Sequence, residues 1–282
     1  MKLHPLPKRI LQCGKHTLDL SRPQVMGILN VTPDSFSDGG RFNHLDTALK
    51  HAELMLDEGA SIIDIGGEST RPNAAPVSVQ EELDRVIPLV EALTQGFDPI
   101  ISIDTSSPEV FSAAVDAGAT IWNDVRALTR PNALDTAARL KLPVILMHMR
   151  GEPATMNDLA VYHDVTREVH TELSFRIEEA FAAGIMADNL IIDMGFGFAK
   201  DTPQSLQLLN EIWKLNTLEL PMLMGISRKR VLGEILNGAA VDERIYAGLG
   251  AALLGVQQGV SIIRTHDVRA TVEMLSVFSQ LP

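Results

Sequence analysis

Polar and charged residues recur where short apolar runs end, at positions that a purely structural strand would keep apolar. Asn30 closes VMGILN, Asp104 closes IISID, and Asn123 and Asp124 close TIWND. His148 follows PVILM, Asp193 closes LIID, Ser227 closes PMLMGIS, and Arg264 and His266 fall late in SIIRTHD. A carboxylate accepts two parallel hydrogen bonds from an amino-pyrimidinone edge, and a carboxamide donates and accepts on one ligand. Grouped on one rim, such residues suit a planar nitrogen heterocycle, because a wrong ring would leave buried groups unpaired. Ser227-Arg228-Lys229-Arg230 adds the second half of the chemistry. With Ser227 capping the next helix, its free amides and Lys229 would form a corner for an anion, and Arg264 and His266 would add charge. Neighbouring helical residues do not share a face, so Lys229 is taken as inward and Arg228 or Arg230 as outward.

Each of these residues also has a plain structural use. Asp104 and Asp193 could cap the following helices, Asp64 could point to the outer face, and Asp267 looks like the cap of the final helix. Met147 and Phe196 could pack the core or cover a flat ligand. The glycines at 66, 67, 195 and 197 lack the spacing of a dinucleotide-binding loop. His148, His163 and His266 are too scattered for a zinc site. Magnesium needs few protein oxygens, and Asn30 could supply one.

Something must bring these positions together. Eight apolar, β-branched runs alternate with segments of helical period: 25–31, 61–67, 99–105, 120–125, 143–149, 190–195, 221–227 and 261–267. Strands covered by helices are apolar on both faces, so the pattern predicts a single (β/α)₈ TIM barrel of the α/β class, with an open doubly wound sheet as the lesser alternative. Residues 9–20 predict a short N-terminal β-hairpin, RILQ and TLDL around a CGKH turn, placed to cover the barrel bottom. Helix starts are expected at Ser78 with Glu81, at Ser107-Pro108 and at Thr202-Pro203. Pro88 predicts a kink or a break. Ala48, Leu49, Ala52, Met55 and Leu56 form the buried stripe of the first helix, and two helical stretches, 229–237 and 242–258, follow the seventh strand. The polar, turn-rich segments 32–43 and 68–77 would lie over the C-terminal mouth, where barrels build their active sites.

Bulk properties set the frame. The 282 residues show no composition shift, so the whole of 1–282 reads as one domain. The net charge of -12 argues against nucleic acid as a partner, though not against a small anion. The single cysteine, Cys13, excludes an intrachain disulfide and reads as a passenger in the hairpin. No stretch resembles a membrane span or a signal peptide, and a cytoplasmic setting is expected.

These stretches together resemble the bacterial dihydropteroate synthases, a pterin-binding enzyme family. The resemblance runs from MGILNVTPDSFSDGG at 26–40 through DIGGESTRP at 64–72, SIDTSSPEV at 102–110 and NDV at 123–125. It continues through LMHMRGEPATM at 146–156, DMGFGFAK at 193–200, GISRK at 225–229 and RTHDV at 264–268. It implies condensation of 6-hydroxymethyl-7,8-dihydropterin pyrophosphate with 4-aminobenzoate to give 7,8-dihydropteroate and pyrophosphate. It also implies Mg2+, a homodimer and competition by sulfonamides. Carried over by motif, Asp104, Asn123, Met147, Asp193 and Lys229 would hold the pterin. Asn30, Arg264 and His266 would bind pyrophosphate, with Asn30 near the metal. Phe36, Thr70, Arg71, Pro72, Ser227 and Lys229 would serve the aminobenzoate side and the loops. Asp104, Lys229, Arg264 and His266 are the candidates for catalysis.

The chain departs from the family pattern at Asn73, Arg150, Met194 and Thr265. Two other readings remain at this point. One is a corrinoid-linked methyltransferase using a related pterin barrel, and the other is a pterin-binding paralogue without activity.

Overall fold

The computed structural model describes residues 4–7, 9–31, 41–68 and 77–280. Phe36, Thr70, Arg71 and Pro72 lie outside the described residues, as do Asn73 and most of the two expected mouth loops.

The chain opens on an antiparallel pair, β1 (Ile10–Cys13) and β2 (His16–Asp19), in which Cys13 faces His16. The strands run further into the turn than the sequence reading proposed, leaving only Gly14 and Lys15 at its tip. Gly14 has φ +60, a conformation that costs glycine little.

Eight parallel strands follow: β3 (Gln24–Asn30), β4 (Ile62–Gly66), β5 (Ile100–Asp104), β6 (Ile121–Asp124), β7 (Val144–Met147), β8 (Leu190–Asp193), β9 (Met222–Met224) and β10 (Val260–Thr265). β10 pairs with both β9 and β3, closing a barrel and excluding the open-sheet alternative. Around it lie α1 (Arg41–Asp57), α2 (Val79–Gly96), α3 (Pro108–Ala117), α4 (Ala133–Leu140), α5 (Val165–Ala182), α6 (Thr202–Glu211), α7 (Arg230–Ile235), α8 (Ile245–Gln257) and α9 (Val268–Phe278).

Alternation along the strands sorts the inward side chains into layers. The lowest layer takes one residue from each strand: Met26, Ile62, Ile100, Ile121, Ile145, Ile191, Leu223 and Ile262. Leu11, Cys13, Leu18 and Leu20 pack against this layer and close the barrel floor. Cys13 is therefore a plug residue, and burial pushes its thiol up to about 12. Two residues further along the strands come Ile28, Asp64, Ser102, Asn123, Met147, Asp193 and Arg264. The register brings Ile28 beside Asp64 and Asp64 beside Ser102, and two residues on aligns Asn30, Gly66 and Asp104, with Asp104 in turn paired to Asn123. The alternate residues, such as Ile63, Ile101, Trp122 and Leu146, face the helices in the larger core.

Several local expectations change. α2 has the Ser78–Glu81 capping box, but it runs unbroken through Pro88. Pro88 is on the exposed side, while Val86, Leu89, Val90 and Leu93 on the other side are buried and hold the helix down. α6 starts at Thr202 as expected, and Asp201 before it is the cap; its carboxylate accepts from Gln204 N (2.8 Å) and Gln204 Oε1 accepts from Asp201 N (2.9 Å). Ser227 does not cap α7, whose N-cap is Lys229. Asp267 stands at the N-cap of α9 but makes no side-chain cap; its carboxylate pairs with Arg228 instead.

Leu11→Ala should lower the unfolding free energy by about 2–5 kcal/mol, because it opens a cavity in the floor. Urea denaturation measures this, and a loss below about 1 kcal/mol would show that the hairpin does not seal the barrel.

Candidate active site

The mouth is organised by one guanidinium. Arg264 Nε donates to Asp64 Oδ2 at 2.7 Å, and its Nη2 donates to Asp104 Oδ2 at 2.8 Å. Asp64 is fully buried, and the same Oδ2 accepts from Asn123 Nδ2 at 3.2 Å. Asp64 therefore does not point to the outer face: the alternation that puts Ile62 inward puts Asp64 inward too. By accepting from Nδ2 it also fixes which way the Asn123 amide is turned. Asn30 reaches the same mouth, since a Cβ built on Gly66 would lie 3.2 Å from Asn30 Oδ1 and 3.7 Å from Asp104 Cβ.

Asp193 stands on β8 with Oδ1 accepting from Gly195 N at 2.7 Å. Among the described residues its Oδ2 accepts no hydrogen bond. Burial raises the Asp193 carboxyl, against the Gly195 N–H and the charges of Lys229, Arg264 and Lys200. Burial likewise raises Asp104, with Arg264 opposing and Asp64 and Glu68 reinforcing. Lys229 is inward, as its sequence position implied. Burial pulls it down to about 8, with Asp193 holding it up. Its Nζ lies 4.0 Å from the centre of the Phe198 ring. Arg230 is outward on Glu234, and Arg228 pairs with Asp267. Met147 joins Val125, Met156, Phe198 and Ala199 in a small apolar group beside the mouth, whereas Phe196 belongs to the main core.

His266 differs from expectation. Ser227 Oγ accepts from the His266 backbone N at 3.2 Å and lies 3.1 Å from Nδ1. With two lone pairs and one proton, the hydroxyl can serve Nδ1 as acceptor or donor, and an anion facing Nε2 would select the tautomer with its proton there. Burial, with Arg264 and Arg228 nearby, pulls His266 down to about 4. It offers a neutral N–H donor to an anion, not the positive charge that its type suggested.

Two rim residues turn elsewhere. Asp124 is fully buried, accepts from Arg126 N (2.9 Å) and Leu128 N (2.7 Å), and bonds Ser106, so it shapes a turn. His148 contacts Glu172 and Lys200. Among the described residues no group of three or more His, Cys, Asp or Glu side chains could hold a metal, and no helix is long and apolar enough to cross a membrane.

The chain matches the family described as pterin binding enzyme over residues 26–266. It is 51% identical to the dihydropteroate synthase of Escherichia coli over 261 residues, 93% of this chain and 92% of that one. This chain belongs to the dihydropteroate synthase family. It is similar to the Xanthomonas albilineans dihydropteroate synthase solved with 4-aminobenzoic acid, with TM-score 0.92, 47% identity and coverage of 98% and 100%. It is also similar to the Yersinia pestis enzyme in a sulfonamide drug complex, with TM-score 0.91, 50% identity and coverage of 96% and 98%. Family membership decides against the methyltransferase reading.

The structure thus brings together Asn30, Asp104, Asn123, Met147, Asp193, Lys229 and Arg264, with Ser227 and His266 as a linked pair at the edge. Sequence reasoning missed Asp64, Phe198, Lys200 and Arg126. Strict alternation from Ile62 would have found Asp64. Arg126 binds Glu68 at 3.0 Å and Glu152 at 2.6 Å across 58 and 26 residues of sequence, a contact with no local signal.

The pH dependence of His266 follows from its depressed value. Its contribution to stability is complete above the ordinary 6.5 and is lost as pH falls toward about 4. The stability advantage of the parent over His266→Gln should shrink by roughly 2–3 kcal/mol between pH 6.5 and 4. Urea unfolding of both chains across that range checks it, and a constant difference would contradict a neutral ring.

Proposed function

We propose that the mouth holds 6-hydroxymethyl-7,8-dihydropterin pyrophosphate and joins it to 4-aminobenzoate, giving 7,8-dihydropteroate and pyrophosphate. The observation that carries this is the pairing of opposites in one small space. Asp193 is a buried carboxylate with an acceptor to spare, while Arg264, Lys229 and the His266 N–H supply cationic and donor groups. Burying such groups unpaired is costly. A ligand with a donor-rich heterocyclic edge and an anionic tail satisfies both.

The chain's residues divide the work. Asp193 accepts from the ring edge. Asn123, oriented by Asp64, adds a second polar contact, and Met147 packs against the ring. Lys229 completes the pterin pocket, and Phe36, Thr70, Arg71, Pro72 and Ser227 serve the aminobenzoate side and its cover. Among the described residues Arg264 spends two of its five N–H donors, on Asp64 and Asp104, so three remain by count for the tail. The bond from the pterin methylene to oxygen breaks with its electron pair leaving on pyrophosphate. Arg264 and the His266 N–H stabilise that charge, and Asp104 stabilises the positive charge left on the pterin. The neutral arylamine nitrogen then attacks the methylene and releases a proton. One well-placed contact to the leaving group is worth ~3 kcal/mol, about two decades of rate.

The donor set suits magnesium: Asn30 offers a hard, neutral oxygen beside Asp104, and such a cation takes most of its shell from phosphate and water. When bound, it would offset the negative charge of the pyrophosphate oxygens. We also propose a homodimer. Ile235, Leu236, Val241 and Tyr246 are exposed (Tyr246 by 85%) along α7, the 3-10 turn after it and the start of α8, a surface that a second copy would cover. A cytoplasmic setting accords with the lone, buried thiol.

Incubating the chain with both substrates and magnesium should yield dihydropteroate and pyrophosphate in equal amounts; tight pterin binding without pyrophosphate release would favour the inactive paralogue. Asp193→Asn should weaken the pterin pyrophosphate and the pterin alcohol alike, by about ten- to a hundredfold. Arg264→Lys keeps a cation between the aspartates but loses the fork, so it should weaken the pyrophosphate form more than the alcohol. Calorimetric titration separates the two, and equal losses for Arg264→Lys would remove Arg264 from the tail. Tyr246→Glu should shift the chain to monomer in light scattering; an unchanged dimer would place the interface elsewhere.

A further inference from the structure

Lys200 is a buried lysine, 3% exposed, that takes no part in the chemistry above. Among the described residues its Nζ has three partners: His148 Nδ1 at 2.9 Å, Gly195 O at 3.0 Å and Phe198 O at 3.0 Å. On the far side of the imidazole, His148 Nε2 lies 2.9 Å from Glu172 Oε2 on α5. A carboxylate only accepts, so Nε2 carries the ring proton and Nδ1 is left as an acceptor. All three partners of Nζ then accept, and the ammonium, with three N–H groups, satisfies each of them. Arg150 anchors the outer end, bonding Glu172 through Nε at 3.0 Å and Glu168 through Nη2 at 2.8 Å, with its guanidinium 3.8 Å over the Tyr162 ring.

What this chain of contacts holds is the turn after β8. Gly195 sits at φ +68, and a Cβ there would come within 2.0 Å of His148 O. Gly197 sits at φ +75, and a Cβ there would lie 3.1 Å from Lys229 Cδ. The turn aims Gly195 N at Asp193 Oδ1 and places the Phe198 ring against Lys229 Nζ. Both carbonyls that fix its shape are hydrogen-bonded to Lys200.

We propose that Lys200 is a positioning residue for the pterin site: its ammonium, held by His148 and Glu172, fixes the 195–198 turn and through it sets Asp193, Phe198 and Lys229. This rests on the proposed pterin reading of the mouth. Arg264 and His266, carried on β10 and its exit, are held by Asp64, Asp104 and Ser227 and, among the described residues, make no hydrogen bond to the turn. The inference therefore separates the two halves of the substrate, with ring binding sensitive to Lys200 and tail binding not.

The test uses Lys200→Met, which keeps the stem and removes the charge, and Glu172→Gln, at the half-exposed end of the chain of contacts. Affinities are measured by calorimetry for the dihydropterin alcohol and, separately, for inorganic pyrophosphate with magnesium. Lys200→Met should weaken the alcohol about ten- to a hundredfold, speed exchange of the Gly195 amide at least ~10-fold, and leave pyrophosphate affinity within about threefold. Glu172→Gln should move the alcohol in the same direction by a smaller factor, and it decides the matter if Lys200→Met does not fold. In Lys200→Ala, ethylammonium should restore alcohol binding, and ethanol should not. Unchanged alcohol affinity, equal losses for both ligands, or rescue by ethanol would overturn the proposal. Failure of the unaltered chain to bind the alcohol would instead refute the pterin reading, while the Gly195 exchange rate would still report on Lys200.

Discussion

The barrel mouth depends on Arg264 lying between two carboxylates. Asp64 is fully buried and Asp104 nearly so, and neither charge would be sustainable in that place alone. Arg264 makes the pair tolerable, and Asp64 in turn orients Asn123. An ion pair of this kind adds little net stability, because desolvation offsets its attraction. Its value is geometric. A planar fork held at Nε and Nη2 has few orientations left, so its remaining donors point in fixed directions.

The fold supports this arrangement from below. A barrel with a polar layer inside needs a floor that excludes water and an apolar layer that resists collapse. The eight inward residues of the lowest layer, with Leu11, Cys13, Leu18 and Leu20 of the hairpin, supply both. Above them the alternation is unchanged while the side chains turn polar. The site is thus the continuation of the core by other residue types, placed by the same registry of strands. The outward faces meet the helices, of which α2, α3 and α6 start on side-chain caps at Ser78, Ser107 and Asp201.

Much of this was legible in the sequence, for definite reasons. All eight strands appear as apolar runs because helices cover their outer faces. Asn30, Asp104, Asn123, Asp193 and Arg264 stand out because polar residues at strand ends break those runs. Asp64 was misread because Ile62, Ile63 and Ile65 surround it with residues of one type, which hides the alternation. Lys200 was passed over because a lysine after Phe-Ala carries no local mark of burial; its partners are 52 residues away at His148 and within a turn whose shape only the fold reveals. Pro88 shows the opposite error, in which a local rule was overruled because the proline lies on the exposed side of its helix. His266 shows that residue type does not give charge: its surroundings do.

On the proposed reading, one cavity grips a flat ring with Asp193 and Asn123 and draws on its phosphate tail with Arg264 and His266. A crystal structure of the chain with dihydropterin alcohol, pyrophosphate and magnesium tests it most directly. The ring is expected within hydrogen-bond distance of both Asp193 and Asn123, and pyrophosphate on Arg264 while that residue still holds Asp64. A ring lodged away from Asp193, or a tail that Arg264 reaches only by leaving Asp64, would contradict it.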